Sequence, residues 1–234
     1  MIIYIPARSG SKRIKNKNIE LLGDFSLLKL AVIRALEIEK YPIVVSSDSD
    51  QYLSDLFENN RIIKHLRSNK FAKDETSTAE TIINDIKTIW GEEYQNNICI
   101  IQATNPFTKI EDIQNACKLY EKDPKGSIVS VIKIPYKNNE LFSRDNFTKK
   151  EFLNQKGNDN DDLFFVDGNF TITNINFILE NHACWKFNNE FSPYYQEMDY
   201  SIDIDYPWML KQARLLWKEW VKDNNQKKFY DKYS

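Results

Sequence analysis

Short apolar runs rich in β-branched residues alternate with segments of helical period, and this alternation limits the fold more than any other feature. Ile2–Pro6, Ile43–Ser46, Ile98–Gln102 and Ser127–Ile134 read as buried strands. Leu27–Ile38 reads as a helix. Ala79, Ile82, Ile83, Ile86 and Ile89 share one helical face, as do Ile110, Ile113, Ala116, Cys117 and Tyr120. Asp74 to Thr78 offer N-cap side chains before the first of these faces. The order implies mostly parallel strands joined by right-handed crossovers, an α/β three-layer sandwich of Rossmann-like type. Ligands in such sheets collect at the carboxyl ends of the strands. The polar residues after the strands, Arg8–Asn18, Ser47–Ser49 and Gln102–Phe107, are therefore the candidate site.

The second half reads less regularly. Pro135–Asp162 is polar and rich in asparagine, too long for an ordinary connection, and is expected to leave the core as an excursion. Strands are expected again at Phe164–Val166, Phe170–Thr173 and Ser201–Asp205. Met209, Ala213, Leu216, Trp217 and Trp220 mark a last amphipathic helix with Pro207 in its first turn, and the polar tail after Val221 is expected to fray. The tryptophans near the C-terminus are expected to be core or interface residues. One domain over 1–234 accommodates all of this, with 135–170 as the candidate excursion.

Composition excludes several function classes. With 41% hydrophobic and 28% charged residues and a formal net charge of -2, the chain has no global positive field to recruit nucleic acid. It has no apolar run of ~18 residues, and Met1–Ile5 is too short for a signal-peptide core, so a membrane role is not expected and the cytoplasm is. Cys99, Cys117 and Cys184 are scattered, without the spacing of a zinc site or disulfide framework. His65 and His182 fall in no metal-ligand pattern and receive no role.

Two constellations carry chemistry. Arg8, Lys12, Arg13, Lys15 and Lys17 follow the first strand, interleaved with Ser9, Gly10, Ser11 and Asn16. Hydroxyls, backbone amides beside a glycine and several cations together suit a polyphosphate, although the spacing is neither a Walker loop nor a dinucleotide fingerprint. Near the other end, Asp203 and Asp205 are two residues apart, so an extended backbone turns both carboxylates to one side. Such a pair suits Mg²⁺, which takes one or two carboxylates and completes its octahedron with water and phosphate oxygens. Among single residues, Asp48 is expected to cap the following helix. Gln102 could cap its own strand, and Arg67 could make a surface ion pair.

In sequence order, IPARSGSKRIKNKNI (Ile5–Ile19), VVSSDSD (Val44–Asp50), HLRSNKFAKDETST (His65–Thr78), IQATNPF (Ile101–Phe107) and SIDID (Ser201–Asp205) resemble the motifs of the acylneuraminate cytidylyltransferases, the CMP-sialic acid synthetases and their legionaminic and pseudaminic acid relatives. The resemblance implies a homodimeric enzyme of surface polysaccharide biosynthesis that uses CTP, a nonulosonic sugar acid and Mg²⁺. It implies nucleotide contacts from Ala7, Arg8, Ser11, Asn18, Arg67 and Thr78, and sugar contacts from Gln102, Asn105 and Phe107. Lys17, Arg8 and Asp203 would be catalytic, and Asp203 and Asp205 would hold the metal. The excursion would border the partner's sugar site, with Lys137 and Arg144 as stand-ins for a family lysine near Glu140. FVDGNFT (Phe165–Thr171) departs from the family's RPNGAxY-like stretch, with Phe165 where an arginine and Asp167 where an asparagine is common. The resemblance therefore reaches the reaction and leaves the sugar unnamed. The alternatives are a cytidylyltransferase for an eight-carbon sugar acid, a nucleotide-sugar glycosyltransferase with a DxD site, and a nonenzymatic nucleotide-binding or scaffold protein, against which the set of Lys17, Gln102, Asp203 and Asp205 argues.

Overall fold

The computed structural model describes residues 1–38, 40–134, 163–187, 190–196 and 201–233. Lys137, Glu140, Arg144 and the rest of Pro135–Asp162 lie outside them. In chain order the elements are β1 (Ile2–Pro6), β2 (Leu21–Leu22), β3 (Phe25–Ser26), α1 (Leu27–Glu37), β4 (Ile43–Ser47), α2 (Asp50–Ser54), β5 (Ile62–Leu66), α3 (Thr78–Trp90), β6 (Asn97–Ile101), α4 (Ile110–Lys122), β7 (Ser127–Ile134), β8 (Leu163–Asn174), α5 (Ile175–Asn181), β9 (Phe191–Gln196), α6 (Pro207–Asp223) and α7 (Lys227–Tyr230).

Seven strands form one sheet in the order β5-β4-β1-β6-β8-β7-β9, and β2 and β3 form a separate two-stranded ribbon. Only β8 runs against its neighbours β6 and β7; the β5-β4-β1-β6 and β7-β9 pairings are parallel. Alternation along β1 divides the core. Ile3 and Ile5 face the layer of α1, α2 and α4, while Ile2 and Tyr4 face α3 and α5. A third cluster joins the outer side of α1 (Leu27, Leu30, Ile33) to Phe107, Trp217, Trp220 and Tyr230. The mostly parallel three-layer sandwich is thus the observed architecture.

Local signals set the helix starts. The Ser26 hydroxyl accepts from the Lys29 amide at 3.2 Å to open α1. At α3, Ser77 and Glu80 satisfy each other's backbone donors in a capping box.

Four departures from the sequence reading have physical causes. The expected strands at 164–166 and 170–173 are one strand, β8, in which Gly168 adopts φ 76° beside a register shift opposite Val129 and Val131. A glycine bulge keeps the strand continuous where the pattern breaks. Residues 163–170 therefore belong to the central sheet and not to an excursion. Ser201–Asp205 carries no regular secondary structure and lies outside any sheet; the Ile204 amide donates to the Thr104 carbonyl at 2.8 Å. The tail after Val221 does not fray. Gln226 is buried and its carbonyl oxygen accepts from the Ile110 amide at 3.2 Å, and Tyr230 sits in the third cluster. Finally, β9 carries Pro193 and little apolar alternation, which an edge strand tolerates.

Candidate active site

A cleft of about 990 Å³ opens at the carboxyl ends of β1 and β6. These two strands neighbour each other where the chain reverses its direction of sheet growth, the position at which a parallel sheet leaves a crevice. Arg8, Ser11, Lys17, Asn18, Arg67, Thr78, Gln102, Asn105, Asp203 and Asp205 all line it. Two expected residues do not. Ala7 is fully buried in the core beneath the cleft. Phe107 is buried in the third cluster, its ring edge-on to Trp220 at 5.3 Å and to Trp217 at 5.9 Å. Its apolar bulk is used to seat α6, so the structure removes Phe107 from the substrate-binding set.

The basic loop is held in place by its polar residues. Asp48 accepts from the Ser9 amide at 2.8 Å and the Ser9 hydroxyl at 2.6 Å. It fastens the loop to the end of β4, whereas Ser49 occupies the N-cap position of α2. The Asn18 side chain is buried and donates to the Arg8 carbonyl at 2.9 Å. Asn16 takes a left-handed conformation, φ 56°, before the 3₁₀ turn Lys17–Ile19. Asparagine reaches that region at low cost, and the turn aims Lys17 across the cleft.

Across the cleft stand the two carboxylates. Lys17 Nζ donates to Asp205 Oδ1 at 2.7 Å, and Arg13 Nη1 donates to Asp205 Oδ2 at 2.7 Å. Burial works to raise the Asp205 pKa, but Lys17 and Arg13 outweigh it and hold the carboxyl below its ordinary range. Asp203 differs. It reaches solvent within the cleft, yet the protein packed around its carboxyl group raises its pKa; Thr104 opposes this by hydrogen bonding and the Asp205 charge adds to it. Ile204, between them, is fully buried in the third cluster. The alternation expected of a strand is thus kept by a segment anchored on Thr104. Two carboxylates at unequal proton affinity form an oxygen-only donor set, which suits a hard divalent cation completed by water and substrate oxygens. No group of three or more potential ligands occurs among the described residues, so substrate would have to supply part of such a shell.

Behind the nucleotide side lies an unanticipated polar cluster. Asp85, fully buried in α3, accepts from Tyr4 Oη at 2.6 Å and from the Ser46 hydroxyl, and pairs with His65 Nε2 at 3.2 Å. Burial and then the Asp85 charge push the Tyr4 phenol well above its ordinary value. This cluster ties β1, β4, β5 and α3 together next to Arg67. Arg67 is only 6% exposed, its amide donates to the Ser47 carbonyl at 2.8 Å, and its buried Nε has no hydrogen-bond partner among the described residues. A buried guanidinium N–H without an acceptor is costly unless a ligand supplies one. A surface ion pair, the alternative considered for Arg67, does not fit this burial. At the rim, Asp74 pairs with both Arg8 and Lys12.

Gln102 and Asn105 sit on a loop held from three sides. Arg34, fully buried in α1, donates to the Pro106 carbonyl at 3.1 Å and the Gln102 carbonyl at 3.3 Å. Asn105 Nδ2 donates to the Asp167 carbonyl at 2.9 Å. The Thr104 carbonyl receives the Ile204 amide, so the same loop positions the acidic pair. The Asp167 carboxylate turns inward, accepting from the Ser130 hydroxyl, the Asn169 amide (3.1 Å) and Asn169 Nδ2 (2.8 Å).

The far wall comprises Val166, Gly168 and Thr171 of β8 and His182, Ala183, Cys184 and Trp185 after α5. Val166, Gly168 and Thr171 belong to FVDGNFT, the stretch that departs from the family's RPNGAxY-like motif, whereas the residues of the His182–Trp185 turn have no role in the sequence reading. A turn after α5 whose first residue, His182, is left-handed at φ 51° brings the last four to the cleft. Burial pushes the Cys184 thiol up to about 12, which makes it a neutral wall residue.

The cytidylyltransferase family model matches residues 2–231. Over 223 residues, 91% of this chain and 94% of the relative, the chain is 29% identical to the CMP-N,N'-diacetyllegionaminic acid synthase of Legionella pneumophila. It is 29% identical over 211 residues to the N-acylneuraminate cytidylyltransferase of Escherichia coli, covering 88% of this chain and 49% of that relative. Among solved structures, a CMP:2-keto-3-deoxy-manno-octonic acid synthetase complexed with CTP superposes with a TM-score of 0.66 over 93% of this chain and 98% of the other, at 13% identity. That likeness establishes a shared fold.

Proposed function

Because the chain belongs to the cytidylyltransferase family, we propose that it transfers CMP from CTP to a nonulosonic, sialic-acid-like sugar acid with release of pyrophosphate. The observation that carries this reading is the meeting of Lys17 and Asp205 at 2.7 Å. It brings a cationic glycine–serine loop and an acidic pair, 188 positions apart, to one cleft. Phosphate binding and divalent-cation binding then face each other across a single site, as nucleotidyl transfer requires.

In this mechanism CTP lies along the basic loop. Arg8 and Ser11 contact its phosphates, while Asn18, Arg67 and Thr78 hold the nucleoside side. Arg67 Nε gains the acceptor it lacks. Lys17 shares the negative charge that grows on the transferring phosphate, acting from an enclosed position with 14% of its side chain exposed. Asp203 and Asp205 are the residues that would hold Mg²⁺, which would supply charge neutralisation for the phosphates. Gln102 and Asn105, fixed by Arg34 and Asp167, orient the sugar acid so that its anomeric hydroxyl attacks the α-phosphorus in line. The hydroxyl's proton passes to water in the cleft as the new P–O bond forms and pyrophosphate leaves.

The enzyme acts as a homodimer in the cytoplasm, in the biosynthesis of a surface polysaccharide. The resemblance of the motifs supports the dimer, as do the exposed rings of Phe164 and Tyr195, which meet edge-on at 4.8 Å across the sheet edge. No described helix is long and apolar enough to cross a membrane.

Pyrophosphate release from CTP and Mg²⁺ is the deciding assay, run with a panel of nine-carbon α-keto sugar acids and one eight-carbon acid. Turnover with a nine-carbon acid is expected. Turnover with the eight-carbon acid alone would move the assignment to that neighbouring substrate, and release with no acid would remove the transferase reading.

A further inference from the structure

A short stretch of β8 holds the sugar-facing loop from outside the cleft. The Asp167 carbonyl accepts from Asn105 Nδ2 at 2.9 Å, and the Asn169 carbonyl accepts from the Gln102 amide at 3.4 Å. Between them Gly168 takes φ 76° and lines the cleft. One bulge thus fixes both of the residues assigned to the sugar acid.

The bulge is held in turn by a relay of hydrogen bonds that runs away from the cleft. Asn169 Nδ2 donates to Asp167 Oδ2 at 2.8 Å and to Gln196 Oε1 at 2.8 Å. Gln196 Nε2 donates to Asp112 Oδ2 at 3.2 Å, and Tyr194 Oη donates to Asp112 Oδ1 at 3.1 Å. The edge strand β9 therefore grips α4 with one end of the Gln196 amide and the bulge with the other. Asp112, Asn169 and Gln196 do not themselves line the cleft.

The relay has a single polarity. A carboxylate accepts and does not donate, so Asp112 draws the Gln196 amide nitrogen toward α4 and leaves its oxygen for Asn169. That oxygen sets the Asn169 amide, whose nitrogen has one proton for Gln196 and one for Asp167. Asn169 and Asp167 are both buried, so a partner lost here is not replaced by bulk water. Burial and then the Asp112 charge push the Tyr194 phenol up to about 12, which keeps it a donor to the same carboxylate.

We propose that Gln196 and Asp112 are positioning residues for transfer to the sugar acid. They touch no substrate and act through the Asn169–Asp167 bulge on Gln102 and Asn105. Without the Gln196 amide, Asn169 turns over, the bulge relaxes, and the two loop residues lose their common frame. A small misplacement of an orienting group is costly in an in-line displacement. The inference rests on the transferase reading and deepens it.

The test uses the full chain, with Gln196→Met and Asp112→Asn made alone and in combination with Asn105→Ala. Asp112→Asn keeps the shape but offers Gln196 either an oxygen or a nitrogen, so it removes the polarity and spares the packing. In Gln196→Met the sugar-acid KM should rise about tenfold, while the CTP KM stays within about twofold of wild type. Asp112→Asn should show the same split at about threefold. On the Asn105→Ala background both substitutions should cost markedly less than in wild type, because part of their route to the substrate is gone. A sugar-acid KM unchanged in both single variants would overturn the proposal, and so would losses that add fully to that of Asn105→Ala. A merely structural role would lower the active fraction and leave both KM values in place. The side-chain amide of Asn105, followed by nuclear magnetic resonance in substrate-free protein, gives a readout without turnover. Its protons should exchange with solvent faster in both relay variants, and unchanged exchange would also overturn the proposal. If wild-type protein released no pyrophosphate with any sugar acid, the transferase reading would fail, while the Asn105 amide would still decide the relay.

Discussion

The two ends of the cleft are built on different principles. The end beside β1 and β5 is charged, and its groups are already paired without substrate: Arg8 and Lys12 with Asp74, Lys17 and Arg13 with Asp205. The end beside β8 and α5 is formed by Val166, Gly168, Thr171 and the His182–Trp185 turn, and its polar partners, Asp167 and Asn169, are turned inward. A triphosphate can replace carboxylates as the acceptor of the first end's donors. The second end offers shape and apolar surface. Affinity for the nucleotide should accordingly come from charge exchange, and choice of sugar from fit, which is a weaker discriminator per group.

The sharpest way to break this contrast is at the charged end. Lys17→Met and Asp203→Asn should each lower kcat by about 10²–10³-fold, the scale of losing one preorganised charge-stabilising group. The far-ultraviolet circular dichroism should be unchanged, because neither side chain packs in a core cluster. Wild-type turnover in Asp203→Asn would take that residue out of the metal site. Arg67→Met should come next, raising the CTP KM by about 10–100-fold through loss of charge-assisted hydrogen bonds, with the sugar-acid KM little moved. At the neutral end, Trp185→Ala removes a ring in edge contact with Phe187 at 5.0 Å and tilted against Phe191 at 6.0 Å. It should raise the sugar-acid KM by about fivefold to tenfold, as expected for a hydrophobic contact. A change confined to the CTP KM would erase the division between the two ends.

The smallest expected effect is in the pH dependence of stability without divalent cation. Asp203 and Asp167 have carboxyl pKa values raised chiefly by burial. The folded state therefore holds more protons than the unfolded one between the ordinary carboxylate pKa and the raised values, and stability falls as pH increases through that interval. Asp205, held low by Lys17 and Arg13 against burial, acts in the opposite sense: its contribution is present above the ordinary value and is lost as pH falls through its depressed pKa. Thermal melts across acidic pH should show Asp203→Asn with a flatter decline than wild type. An identical decline would mean that the Asp203 carboxyl is not raised.

Much of this cleft was readable from local pattern. The strand ends that deliver Arg8 and Gln102, the capped start of α3 and the basic loop itself all follow from period, capping and composition over a few residues. Those signals act between near neighbours and survive in any fold. Even Asp203 and Asp205 kept their common orientation when their segment proved to lie outside the sheet, because the Ile204 amide, held by the Thr104 carbonyl, keeps the alternation without a neighbouring strand.

Other features depend on contacts between distant segments, which no local pattern specifies. Phe107 stood in a motif and belongs to the core because α6 folds over it. Asp48 reads as a helix cap and instead holds Ser9, 39 positions away. Asp85 reads as one polar residue in a helix and becomes the buried acceptor that joins three strands. The His182–Trp185 turn carries no motif and becomes a wall of the cleft through the placement of α5. The sequence alone determined which chemistry the chain could perform, through residue types and their short-range spacing. Only the tertiary structure decided which of those residues share one cavity, because closing loops of up to 188 positions is paid for by packing of the whole sheet and not by any segment alone.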